Sequence, residues 1–241
     1  MKRSINGRRD AERSMLIAGF QKTSFVDYPG QPCAVVFTPY CNFDCVYCHN
    51  AHIIKRDAPL IPEEPVLEYL EKRAGLLSAV VISGGEPTLQ QNLEAFILRV
   101  RTFDYKVKLD TNGAKPQVLL SLLNRNLLDY IAMDVKAPAE KYDEITRANV
   151  DMDAIRRSIA IIRNSDVAHE FRLTYAPQLK TEDAVEAARM VKGCQRFYLQ
   201  QYRPRSDADA RAHPPADVLK TGEAIAREIG NCTVRGLGPE Q

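Results

Sequence analysis

Residues 79–110 run Ala79-Val-Val-Ile-Ser83, then Gly84-Gly85-Glu86-Pro87-Thr88, then Leu89-Gln-Gln-Asn-Leu-Glu-Ala-Phe-Ile-Leu-Arg-Val-Arg101, and after a short link Lys106-Val-Lys-Leu-Asp110. The first run is short, apolar and rich in β-branched residues, as in a strand buried on both faces. The apolar residues of the third recur at helical spacing, which predicts a helix over Leu89–Arg101. Strand, glycine turn, helix and strand in that order make the crossover unit of a parallel sheet.

The same alternation extends in both directions. Strands are predicted at Cys33–Thr38, Ala79–Ser83, Lys106–Asp110, Tyr130–Asp134, Glu170–Tyr175 and Phe197–Gln201, with a short last one at Thr233–Arg235. Helices are predicted between them at Pro62–Arg73, Pro116–Asn126, Met152–Asn164, Glu182–Lys192 and Pro215–Ile229, with Pro116 and Asp151 as start signals. Six such units over about 200 residues fall short of the eight that close a barrel, so the expected architecture is α/β, a partial (β/α)6 parallel barrel. Residues 15–241 read as a single domain, and residues 1–14, with Lys2, Arg3, Arg8, Arg9 and Arg13, as a disordered basic tail ahead of Met15. The polar, Pro-bearing stretch Arg203–Pro215 reads as a mobile flap.

Composition narrows the classes. In 241 residues, 45% are hydrophobic and 27% charged, and 33 Lys plus Arg against 31 Asp plus Glu leave +2. Neither a disordered chain nor one drawn by bulk charge to nucleic acid or membrane is indicated. No apolar run approaches the ~20 residues of a membrane span, and the basic N-terminus lacks the apolar centre of a secretory signal, so the chain reads as cytoplasmic. Three of the six cysteines crowd together while Cys33, Cys194 and Cys232 are scattered. That distribution suggests metal or redox chemistry in the cluster and packing for the rest, rather than a disulfide framework.

Sites in parallel α/β folds lie at the carboxyl ends of the strands. There the sequence places Cys41-Asn-Phe-Asp-Cys45-Val-Tyr-Cys48, Gly84-Gly85-Glu86-Pro87, Asp110-Thr111-Asn112-Gly113, Asp134-Val-Lys136 and Ala176-Pro177. Three thiolates spaced C-x3-C-x2-C can bind three irons of a [4Fe-4S] cubane and leave the fourth open. Structural zinc completed by His49 or His52 is the alternative, and three core thiols a further one. Asn42 and Asp44 within the loop speak against the core reading.

On the cysteine loop, the Gly84–Pro87 run and their order on a βα scaffold, the chain resembles the radical S-adenosylmethionine (SAM) enzymes, and among them the activating enzymes of glycyl radical proteins. Upstream, Gly19-Phe-Gln-Lys-Thr-Ser-Phe-Val-Asp27-Tyr-Pro29-Gly30 is similar to the anaerobic ribonucleoside-triphosphate reductase activating protein family. Asp27–Gly30 also resembles the Asp-Gly-Pro-Gly segment of the pyruvate formate-lyase activating enzyme. The resemblance runs from Met15 to about Arg235.

The resemblance implies one [4Fe-4S] cluster on Cys41, Cys45 and Cys48, with SAM chelating the open iron through amine and carboxylate. Reductive cleavage of SAM then yields a carbon radical that removes a hydrogen atom from a glycyl radical enzyme, anaerobic ribonucleotide reductase in the closest resemblance. Reduced flavodoxin or ferredoxin would donate the electron, and neither nucleic acid nor membrane takes part. Gly84 and Gly85 fall to SAM binding, where a missing Cβ lets backbone come close. Glu86 supports the site or merely charges a helix start. Tyr47 lies against adenine in the family, and Lys136, in an Asp-x-Lys pairing, reaches the SAM carboxylate. Arg172 is either a salt bridge at the core edge or a cofactor contact. Asp110, Thr111 and Asp134 offer hard oxygens for a monovalent cation near SAM, or Asp110 and Thr111 form loops and caps. Arg203 in Gln200-Gln201-Tyr202-Arg203 stands where the pyruvate formate-lyase activator carries histidine. The remaining cysteines are too dispersed for a second, ferredoxin-like cluster. The rivals are a radical SAM enzyme acting on a small molecule, such as a deazapurine-forming synthase, and a zinc-bound adaptor without catalysis.

Overall fold

The computed structural model describes residues 14–54, 59–204, 206 and 211–237. The expected basic tail lies outside the described residues except for Ser14, as do positions 205 and 207–210 of the expected flap. In chain order the elements are β1 (Gly19–Ser24), β2 (Cys33–Thr38), α1 (Glu63–Arg73), β3 (Ala79–Gly84), α2 (Leu93–Arg101), β4 (Lys106–Thr111), α3 (Pro116–Asn124), β5 (Tyr130–Asp134), α4 (Tyr142–Thr146), α5 (Met152–Arg163), β6 (Ala168–Tyr175), α6 (Thr181–Arg189), β7 (Phe197–Gln201), α7 (Pro215–Ile229) and β8 (Thr233–Arg235). Short 3-10 turns occupy Pro87–Leu89 and Ala139–Lys141. The strands follow chain order in a mostly parallel sheet, as the alternation of the sequence predicts. Among the described residues no helix is long and apolar enough to cross a membrane.

The described chain divides into two compact units. The first holds the described residues up to Cys41, Asn50–Asp110 and Leu120–Tyr130. In it β2 pairs in parallel with β3, and β3 with β4. Ala79, Val80, Val81 and Ile82 are all fully buried, which explains why β3 reads as unbroken apolar sequence rather than an alternating one. Helix α1 turns Val66, Leu67 and Leu70 inward, and α2 turns Phe96, Ile97 and Val100.

Two features of this unit depart from the sequence reading. An additional strand, β1, runs antiparallel to β2 at the edge, with a register shift between Gln21 and Ser24. Its Lys22 carbonyl accepts a hydrogen bond of 3.2 Å from the Tyr69 hydroxyl of α1. The helix predicted from Leu89 begins only at Leu93, because Pro87–Leu89 closes as a 3-10 turn. The Gln90 side chain leaves the helical path and donates to the Pro39 carbonyl at 3.1 Å.

The second unit holds Asn42–His49, Thr111–Leu119 and the described residues from Ile131 on. Here β6 pairs in parallel with β7, and β7 with β8. Ile131, Ala132 and Met133, Phe171 and Leu173, and Phe197 and Leu199 supply its buried strand residues. The apolar stripe of α5 (Ala154, Ile155, Ile159, Ile162) and the small residues of α6 (Ala184, Ala187, Ala188) are buried in the same unit. Asp151 caps α5 by accepting from the Asp153 and Ala154 amides, as its position in the sequence suggests. Helix α4, one turn long, was too short to leave a periodic signal.

Candidate functional site

In the first unit the strand ends are shaped by backbone. Gly84 lies at φ +111°, where an L side chain is strained, and a Cβ there would stand 2.4 Å from the Thr38 amide nitrogen. A Cβ on Gly85 would come within 1.9 Å of the Tyr40 carbonyl oxygen. The close approach these glycines permit is therefore to the chain itself. The Gly85 and Glu86 amides donate to the Thr38 and Tyr40 carbonyls, each at 2.8 Å, and so fix the residues that lead into Cys41. Asn50, just past Cys48, donates to the Gly84 carbonyl at 2.8 Å. The turn thus grips the chain on both sides of the cysteine loop.

Tyr40 itself adopts φ +65°, an uncommon conformation for a bulky residue. Glu86 is fully buried, and its carboxylate accepts from the Thr88 amide and hydroxyl, so it caps the 3-10 turn. This is the helix-start role that the sequence left open. Cys41 borders a hollow of about 520 Å³ with Tyr40, Ile54 and Leu89. Asp110, at the end of β4, accepts from the Ser83 hydroxyl at 3.0 Å and makes an ion contact of 2.8 Å with Lys108.

In the second unit the loop bearing Cys45 and Cys48 is tied to the last turn of α4. The Asp44 amide donates to the Thr146 carbonyl at 2.9 Å, and that of Val46 to Ile145 at 3.0 Å. Asn112 donates to the Asn42 side chain at 2.9 Å. Thr111 is buried, and its hydroxyl accepts from the Gly113 amide at 3.1 Å, a turn-forming contact. Tyr47 is buried, with the Lys136 ammonium 5.8 Å from the centre of its ring. Lys136 pairs with Asp134 at 3.0 Å, and Arg172 Nε with the other Asp134 oxygen at 2.7 Å. Burial alone would raise the Asp134 carboxyl, but Arg172 and Lys136 overcome it and hold the group well below the usual carboxylate range. Burial pushes the Cys45 thiol up, and the Lys136 charge opposes that shift.

All six cysteines are free. Cys33 and Cys194 are buried, and burial raises both thiols, while Cys232 is pushed up to about 11. Burial outside the cysteine loop gives Cys33 and Cys194 the place of packing residues. Among the described residues no three His, Cys, Asp or Glu side chains converge as a site for one metal ion. A cubane distributes its three cysteines over separate irons, so an all-thiol donor set on one loop fits it. The residues that residue-type reasoning passed over are amides: Asn50, Gln90 and the Asn42–Asn112 pair. Only their place beside the cysteines and glycines could have pointed to them.

Comparison with known proteins gives a consistent result. The family profile described as Radical SAM superfamily matches residues 35–191. A protein of Methanocaldococcus jannaschii, named provisionally as a glycyl-radical enzyme activating enzyme, is 34% identical over 233 residues, covering 92% of this chain and 96% of that protein. A GTP 3′,8-cyclase of Helicobacter pylori is 29% identical over 147 residues, covering 59% of this chain and 39% of the cyclase. Among solved structures, Streptococcus suis SuiB bound to S-adenosylmethionine superposes with a TM-score of 0.66 at 16% identity, over 82% of this chain and 48% of SuiB. That likeness is one of fold.

Proposed function

The chain belongs to the radical SAM superfamily, whose members use a [4Fe-4S] cluster and SAM, and from that premise we propose that it activates a glycyl radical enzyme. The observation that carries this reading is the match to the M. jannaschii protein, which is co-extensive with both chains at 34% identity. The cyclase match reaches only 39% of its relative and 59% of this chain.

In this proposal Cys41, Cys45 and Cys48 hold the cluster, and the turn at Gly84 and Gly85 receives the SAM amino group. Tyr47 packs against the adenine, and Lys136 meets the SAM carboxylate through a charge-assisted hydrogen bond. Arg172, by fixing Asp134, keeps Lys136 aimed. The chemistry supplied by cluster and SAM when bound is reductive cleavage of SAM and removal of a hydrogen atom. The chain's own task is orientation and exclusion of water. A reduced flavodoxin or ferredoxin supplies the electron, and the partner whose glycine is oxidised is an anaerobic ribonucleotide reductase.

The test is anoxic incubation of reduced, cluster-loaded protein with SAM and a glycyl radical partner deuterated at glycine. The expected result is an organic radical by electron paramagnetic resonance and deuterium in 5′-deoxyadenosine. Deuterium arriving from a free metabolite, with no protein radical, would replace this reading with that of a small-molecule enzyme related to the cyclases or deazapurine synthases.

A further inference from the structure

Among the described residues Lys108 is the one lysine with a buried side chain, 3% exposed. Removing an ammonium from water is costly unless charge and hydrogen bonds replace the solvent, and a Leu or Met would fill the same space without that cost. Lys108 and Asp110 are two residues apart on β4, so they share one face of the strand. The ammonium lies 2.8 Å from one Asp110 oxygen, while the other accepts from the Ser83 hydroxyl. It also donates to the Asp27 carbonyl at 2.7 Å and faces the Tyr130 ring at 5.9 Å. Asp27 is itself held by the Ser24 hydroxyl, and the Tyr28 ring packs on Tyr130 at 5.6 Å. Lys108 therefore joins the Asp27–Gly30 segment to the carboxylate beside the glycine turn.

The resemblance implies a monovalent cation at Asp110, Thr111 and Asp134, and the charges of this chain do not suit one. Asp110 is neutralised by Lys108 within the first unit, and Asp134 by Arg172 and Lys136 within the second. The Thr111 hydroxyl is engaged by the Gly113 amide. An alkali ion brought to Asp110 would meet a fixed ammonium already in contact with that carboxylate.

We propose that Lys108 is a positioning residue, a built-in counterion that holds Asp110 in place of an alkali cation, so that this chain binds SAM without bound sodium or potassium. The inference rests on membership of the radical SAM superfamily and not on the choice of protein partner, so SAM affinity, measured without any partner, tests it separately from the activase reading.

The experiment measures SAM affinity and thermal melting of the cluster-loaded protein in potassium, sodium or tetramethylammonium salts of equal ionic strength. The native protein is expected to bind SAM with affinities within about twofold across the three and to melt at the same temperature. Lys108→Met is expected to lose about tenfold in affinity in tetramethylammonium and to recover it in potassium. A native protein that loses about tenfold in affinity without alkali ions overturns the proposal, and so does a folded Lys108→Met protein that binds SAM as the native one does in all three salts. The native arms decide the question by themselves where Lys108→Met does not fold.

Discussion

After β3 the chain turns through Gly84–Glu86 and is held there by amides and carbonyls: Gly85 and Glu86 on Thr38 and Tyr40, and Asn50 on Gly84. After β5 it turns from Asp134 to Lys136 and is held by charge, with Arg172 on one carboxylate oxygen and Lys136 on the other. Both turns sit at the carboxyl end of a strand and both carry residues expected to face SAM, yet they are built from different physics. A turn gripped this closely by neighbouring backbone fails sterically. A charged turn tolerates changes of shape but responds to protonation and to loss of a partner.

Gly85→Ala should be the most damaging change, and it acts on the backbone-held turn. A methyl group 1.9 Å from the Tyr40 carbonyl cannot be accommodated by a rotamer change, so a loss of about 3 kcal/mol or more is expected. Urea denaturation together with iron content after anoxic reconstitution would show it, since the displaced segment leads straight into Cys41. Arg172→Met should be milder. It leaves Asp134 with Lys136 alone, but the Asp134 side chain is 30% exposed, which limits the cost to about 2 kcal/mol by the same measurement.

Acid titration sharpens the contrast further. The folded-state carboxyl of Asp134 is depressed, so its contribution is fully present above the unfolded value of about 4 and is lost as pH falls from there toward the folded value. The urea midpoint of the native protein should fall more steeply below about pH 4 than that of Asp134→Asn. Asn50→Ala should have the smallest effect, about 1 kcal/mol for one hydrogen bond to the Gly84 carbonyl, with no change in the acid limb.

The parallel strands were legible because burial on both faces forces unbroken apolar runs such as Ala79–Ile82. Strand β1 was not, since Gln21, Lys22 and Thr23 are exposed and their pairing with β2 is a contact between distant residues. The cysteines and the glycine pair stood out because few other roles suit such residues at such spacing. Asn50, Gln90 and Asn112 did not, because an amide in a loop reads the same whether it turns the chain on itself or ties it to a distant carbonyl. Lys108 was concealed for a related reason. In Lys106-Val-Lys-Leu-Asp110 the two lysines look alike as solvated positions, and only the packing separates exposed Lys106 from buried Lys108.

The outermost strand has a further consequence for the chain in bulk. An edge strand with free amides and carbonyls is a template on which a second molecule can lay its own strand. On β1 the register breaks between Gln21 and Ser24, Lys22 places a charge on the rim, and the Tyr69 hydroxyl already occupies the Lys22 carbonyl. A second copy approaching edge to edge meets an interrupted ladder and a desolvation cost. The sheet therefore ends in a border that discourages aggregation during synthesis and refolding.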